Sequence, residues 1–586
     1  MIIKKLIIAP YKNLKTLKLK NSYFLGEWCN RYEKYKNFKT HRYHWNNIKK
    51  VNTDQEKINK YYEVLLKNLS TNLNKIHKVK KNKRFWRILI GPWLYFYIGA
   101  FYDRWEIINS FFKDNNYKFQ LPIPNKKYFY NPPLDTKEFL DNLKNDDAFN
   151  YLIFLKIFNY SYSDRILLKK NKNLFFFKSK TSVKTKKKLL IERIKDLSFN
   201  FISFLSLFVN DIFLDLNYFP KKKLLKFFIK TKQLPTFGMG LFDLEDKKKS
   251  KLDVNLRNQL ISIKSNISFI NFIKQNIIYN FPTIFLEDFK KNFNSKLFFY
   301  NFNKKRIYSD TNYLTNEGFK FWIAESISAS GKFYASKHGS FLINKNRNNY
   351  SGNHPFKISD SYLGWTKKTA ANIGYIPPVQ LLKFKQLNSL PNLEKKNCFI
   401  IEPSCITYNS KCHSFPYNEN YSENLSLTKI FLKNLEVDIR KEVVLRILNS
   451  SGRKYLKLDL ATEFNEITIC NLKTDFFSRL KNTKIAICKY METPVTDLLF
   501  SNIPFVILVP IKSYDAHRHK KTYKLLEENN MLFHDAQKAS SFVNSVWNDP
   551  GIWWNSPNVK KIRKNLKKEV AIIKDDWLSD LIKTLG

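Results

Sequence analysis

Apolar positions along this chain follow two periods. Between 54 and 77 they recur at helical spacing, with Ile58, Tyr61, Tyr62, Leu65, Leu66 and Leu69 on one face. Helical patterns also cover 135–158, 187–213 and 316–330, the last with Phe319, Trp322, Ile323 and Ile327 on one side and Gly331 as its stop. Short apolar runs of the kind buried in parallel sheets appear at 2–9, 305–309, 332–337, 398–401 and 466–470. The most apolar and aromatic segment is 85–102, FWRILIGPWLYFYIGAFY. Gly91-Pro92 divides it, so it reads as a buried helix pair or as a greasy face against a membrane surface. The final pattern, 558–585, is a helix that could cross back to the first half of the chain.

The run 485–510, IAICKYMETPVTDLLFSNIPFVILVP, reads as strand, loop, helix, strand. Thr493-Pro494 predicts an N-cap followed by proline at the first helical position. Asn502-Ile503-Pro504 ends the helix, and 505–509 is a second buried strand. Such a unit offers backbone N–H groups and a positive dipole end to a phosphate in the loop after its first strand. Asp497, one turn into the helix, could reach a sugar hydroxyl or could only complement the dipole.

At 586 residues, with 44% hydrophobic content, two or three domains with real cores are expected. The formal charge of +52 points to acidic partners, but the lysines are scattered and short runs such as 186–188, 221–223 and 247–249 read as solvated ends. Six cysteines in so long a chain are not a disulfide framework; Cys398, Cys405 and Cys412 beside His413 lack the tight pairing of a zinc site. No stretch holds 18 clean apolar residues; 199–219 comes nearest and is interrupted by Asn200, Asn210, Asp211 and Asp215. A cytoplasmic protein is expected, with peripheral contact at an anionic membrane face as an open alternative.

His338 is the first candidate for chemistry. It follows the strand at 332–337 and precedes Gly339, which lets a ligand or backbone come close. It could act as a base, donate to a phosphate, or bond only its own loop. His354 and Asp360 lie in the same loop-rich stretch, Glu287 and Glu325 are further acids, and His517, Arg518 and His519 form a basic turn. There is no P-loop, GxGxxG, HExxH or GxSxG in its required context.

Three blocks resemble a family of transferases found in bacterial surface-polysaccharide (O-antigen) gene clusters. His338-Gly339 with 358–365, ISDSYLGW, looks like that family's HGG and ISD-x-Y-L-x-W patterns. Tyr490, Thr493, Asn502, Ile503 and Pro504 match its Y-N-A-T-T-F-L-E…N-I-P segment, and Trp547, Asp549, Trp553, Trp554 and Ser556-Pro557 follow its order. Ser340 replaces the second glycine of HGG, Met491 stands where the family has Asn, and Asp497 where it has Glu.

The resemblance implies an α/β fold of two Rossmann-like domains facing a cleft, as in GT-B glycosyltransferases. Residues 1–380 would form the acceptor side, with a helix-rich insertion at about 50–230; residues 381–586 would bind a nucleotide sugar and end in a crossover helix. The implied activity is transfer of a sugar-type group to a surface-polysaccharide or lipid-linked acceptor. His338 and Asp360 would be catalytic, and Gly339, Tyr490, Thr493, Asp497 and Arg518 would bind the donor, without metal or cofactor. The alternatives are a polyol-phosphate-type phosphotransferase of the same architecture and a non-catalytic protein binding anions or nucleic acid.

Overall fold

The computed structural model describes residues 3–10, 22–30, 39–124, 132–170, 176, 190–236, 242, 249–291, 306–339, 350–366, 373–389, 395–403, 407–412, 421–447, 460–470, 475–510 and 520–585. Their strands form three separate sheets, and every ladder is parallel.

The first sheet comprises β1 (Ile3–Ile7), β2 (Ser22–Phe24), β3 (Lys39–Thr40), β4 (Lys118–Ile123) and β5 (Ile166–Lys170), in the order β3-β2-β1-β4-β5. The second comprises β6 (Ile212–Asp215), β7 (Arg306–Ser309), β8 (Lys332–Ser336), β9 (Ser361–Gly364) and β10 (Ile373–Tyr375), which lie side by side in chain order. The third comprises β11 (Asn397–Glu402), β12 (Val443–Ile447), β13 (Thr468–Ile469), β14 (Thr483–Cys488), β15 (Phe505–Leu508) and β16 (Leu532–Phe533), in the order β13-β12-β11-β14-β15-β16. That is the doubly wound order, with its switch point between β11 and β14.

Mixed α/β architecture is as expected, but three sheets replace the anticipated two. The region taken for a helical insertion supplies β4 and β5 to the first sheet and β6 to the second. Its helices cover sheets rather than forming an inserted body.

A second correction concerns 85–102. One helix, Lys83–Asp114, runs straight through Gly91 and Pro92 and is buried almost all round. Pro92 leaves the Ile88 carbonyl without its helical donor. At the next carbonyl the fully buried Lys320 donates to Leu89 at 2.8 Å, while pairing with Glu317 at 2.5 Å. Gly91 permits the close approach of neighbours, since a Cβ there would lie 2.6 Å from the Tyr62 hydroxyl and 3.0 Å from the His354 ring. Tertiary packing therefore holds a helix that local sequence would break, and no part of this segment is free to lie on a membrane.

Residues 407–412, beyond β11, dock on the helices of the first sheet. Arg104, buried completely, donates to the Asn409 carbonyl and to Asn150 Oδ1 (2.8 Å), and Tyr408 donates to Asp147 (2.8 Å). At the other end the chain leaves the third sheet through helix Pro557–Val570, and Ile572 N donates to the Trp365 carbonyl, just past β9, at 2.8 Å. Helix Trp577–Leu585 then lies on the second sheet, where the Tyr308 hydroxyl of β7 donates to the Leu585 carbonyl (3.4 Å).

Candidate functional site

Parallel strands bring all their carboxyl ends to one edge, and there the second and third sheets meet. Gly339, two residues beyond the Lys337 that follows β8, is packed so closely on Thr493 that a Cβ would lie 2.5 Å from Thr493 Oγ1. Two of the residues marked by sequence thus touch, although 154 positions separate them (493 − 339).

On the second-sheet side, His338 is half-buried and its ring stacks on Tyr218, with centroids 5.3 Å apart and planes 20° from parallel. Burial lowers its pKa, opposed by the Asp310 carboxylate and by a hydrogen bond to the Asp310 backbone. Asp310, at the end of β7, accepts from Tyr218 N (3.0 Å) and Thr311 Oγ1 (3.0 Å). Next to it is the buried Asp215, at the end of β6, which accepts from Ser309 Oγ (2.6 Å) and Asn312 Nδ2 (2.8 Å). Desolvation pushes the Asp215 carboxyl up to about 7, and the neighbouring Asp310 charge adds to the shift. By sequence, Asp215 reads only as an interruption of an apolar run, and Asp310 is not singled out. The usable signal was position, since each acid sits at the carboxyl end of a strand.

Asp360 stands elsewhere. It precedes β9, at the amino end of the sheet, and accepts from Phe333 N (2.8 Å) and from Arg84, 3.1 Å to Oδ1. A strand length separates it from His338, and its contacts hold helix Lys83–Asp114 to the sheet. Glu287 is paired with Arg257 (2.7 Å) and Glu325 with Lys81 (2.6 Å). His354 is buried beside Gly91, away from the strand ends.

On the third-sheet side, β14 ends in the loop 489–492 and helix Thr493–Ser501 begins. Glu492 is the N-cap, one position earlier than expected, with no side-chain capping bond, and Pro494 falls within the first turn. Asn502 closes the helix in the left-handed conformation (φ 54°). Its Oδ1 receives Trp554 Nε1 at 3.1 Å and the Arg563 guanidinium, so two of the resembling blocks meet in a scaffold contact. Asp497 is half-buried, and desolvation pushes its carboxyl up to about 7 against the pull of Lys383 and Arg446. Tyr490 is buried, which raises its hydroxyl. Arg518, with His517, His519 and Ser340, lies outside the described residues, as do His413 and Cys405.

Sequence reading passed over Lys489 as a polar turn residue. It sits at the end of β14, facing the switch point, and is 1% exposed. Among the described residues its enclosed ammonium has no hydrogen-bond partner, and burial lowers it to about 8 although Glu402, at the end of β11, opposes the shift. Glu402 accepts from Thr428 at 2.5 Å, and one helical turn before Thr428 both amide atoms of the buried Asn424 also lack partners among the described residues. Lys337 approaches from the second sheet, lowered to about 8 by burial and drawn by Glu492. Buried donors left unsatisfied cost free energy unless something polar completes them. Among the described residues no group of three or more His, Cys, Asp or Glu is arranged to hold a metal ion.

A family model described as the LIC12162 family transferase spans residues 5–585. The chain belongs to that family of transferases. No curated protein matches this transferase. Among solved structures it is similar to an α,α-trehalose 6-phosphate synthase from Burkholderia multivorans, at 10% identity, over 48% of this chain and 70% of that one, with a TM-score of 0.28. A likeness that small carries no weight beside the transferase's own sheets and side chains.

Proposed function

We propose that this transferase moves a sugar-type group from a nucleotide-activated donor, seated at the switch point of the third sheet, to an acceptor hydroxyl at the strand ends of the second. The observation that carries the reading is Lys489, an enclosed ammonium with no hydrogen-bond partner among the described residues, at the end of β14 and beside the start of helix Thr493–Ser501. A diphosphate there would complete Lys489 and take the first-turn amides of the helix. Asn424 would bond the same ligand, and Asp497 would accept from a sugar hydroxyl. Lys337 brings a second cation to offset leaving-group charge.

His338 would take the acceptor proton. Its lowered pKa keeps the ring neutral and able to accept at neutral pH, and Asp310 would stabilise the imidazolium that forms. In this reading Asp310 would stand beside His338 in the place where Asp360 was expected as a catalytic residue.

Calorimetric titration with nucleosides, nucleoside monophosphates and nucleoside diphosphates tests the donor seat. A diphosphate should bind the parent selectively, and Lys489→Met should weaken it about 10- to 100-fold, the range for a lost charge-assisted hydrogen bond. Equal affinity for parent and variant would remove Lys489 from the site.

A further inference from the structure

Helix Leu190–Val209 packs Phe204 and the buried Leu207 on the core but leaves a second apolar face uncovered. It buries Ser203 (0% exposed) and Ser206 (1%) and presents Phe201 (62%) and Val209 (70%) to solvent, with Leu197, Leu205 and Phe208 beside them. Helix Lys221–Lys230 repeats the pattern on a smaller scale. Its Leu224, Phe227 and Phe228 are buried, yet Leu225 and Ile229, one turn apart, are exposed among Lys221, Lys222, Lys226 and Lys230. Its ten residues include no carboxylate. The two helices share one face, because Lys221 Nζ lies 5.7 Å from the Phe199 ring centroid.

Single exposed apolar residues are ordinary on a protein surface, but a contiguous patch rimmed by polar groups marks an interaction site. We infer that this face docks on the surface of a bilayer containing anionic lipid. The aromatic and aliphatic side chains would enter the acyl boundary while the lysines stay among the phosphates. Charge decides against a second copy of the chain, since a two-fold contact would set the same lysines against each other in a protein of net charge +52. No helix among the described residues is long and apolar enough to cross a membrane, so contact would be with the surface only.

The face adjoins the strand ends of the second sheet. Tyr218, whose ring stacks on His338, is 53% exposed and precedes Lys221 by three residues. A lipid-linked acceptor held in that surface would present its head beside His338. That placement rests on the proposed reaction; the docking itself does not.

Full-length protein is sedimented with vesicles of phosphatidylcholine, alone or mixed with phosphatidylglycerol, at low and high salt. Binding should require the anionic lipid and fade with salt. Lys222→Ala with Lys226→Ala should weaken it about 30-fold, two charges at the surface value. Phe201→Ser with Ile229→Ser should weaken it about tenfold or more, with the melting temperature and diphosphate titration unchanged. Equal binding to neutral vesicles, or variants that bind like the parent, would overturn the inference. So would a dimer in light scattering that the serine variant dissolves while the parent ignores vesicles. Vesicle binding without sugar transfer would leave the docking intact and defeat only the reaction.

Discussion

Replacing Asp215 with Asn should stabilise the protein, and by an amount that depends on pH. The carboxyl is buried and pushed up to about 7 from an ordinary value of 3.8. Well below pH 3.8 it is protonated in both folded and unfolded chains, and no penalty exists. As pH rises the unfolded chain ionises first, and the folded state pays increasingly until the pH passes 7. At 1.36 kcal/mol per pKa unit the penalty is under about 1 kcal/mol at pH 4, about 2 at pH 5 and about 4 at pH 8. Asn keeps the shape of the neutral acid. Its oxygen can still accept from Asn312 and Asn217, and its amide can donate to a rotated Ser309 hydroxyl, the three groups that now bond the carboxylate. Melting curves of parent and Asp215→Asn across that range should coincide at the acid end and separate by roughly 5 °C at pH 8. A separation that is constant with pH, or that shrinks as pH rises, would refute the claim that the group is held with a raised pKa.

His338→Ala should lower transfer by about 10²- to 10⁴-fold without lowering the melting temperature, and a mutant that transfers normally would exclude His338 as the base. Asp310 raises the His338 pKa, so Asp310→Asn should move the acid limb of the kcat/KM profile to lower pH as well as slow the reaction; an unmoved limb would leave Asp310 with a packing role only. Gly339→Ala should cost roughly 1–3 kcal/mol of stability because the new methyl meets Thr493 Oγ1. Thr493→Ala should relieve most of that cost in the double variant, and simple additivity of the two would show that the sheets do not touch there in solution.

The unit around 485–510 was legible because proline, the left-handed Asn502 and two strands of apolar residues punctuate it within 26 residues (510 − 485 + 1). The long helices were legible where one face alone is buried, as at 54–77. Helix Lys83–Asp114 was not, because it is buried on every side and the Lys320 contact that steadies its opened turn comes from 231 residues away. The division of the first half of the chain into two sheets was missed for a related reason: β2 and β3 have three and two residues, too few to show a period. In the site, His338 and Thr493 stood out by local pattern. Lys489 did not, since in a chain with 102 Lys and Arg one more lysine after a strand carries no signal; only the fold encloses it. The Asp215–Ser309 contact joins residues 94 apart, and no local window contains both.

The tail that crosses from the third sheet to the second also sets a clock on synthesis. Trp577, Leu581 and Leu585 share a core with Leu224 and Phe227 of helix Lys221–Lys230, and the Tyr308 hydroxyl waits for a carbonyl 277 residues downstream. While the ribosome still holds the last turns, that flank of β6 and β7 stays open, with its apolar side chains bare for nearly half the time of translation. A chain stopped short of 577 would keep that flank unsealed, and a nascent-chain chaperone would find its substrate there.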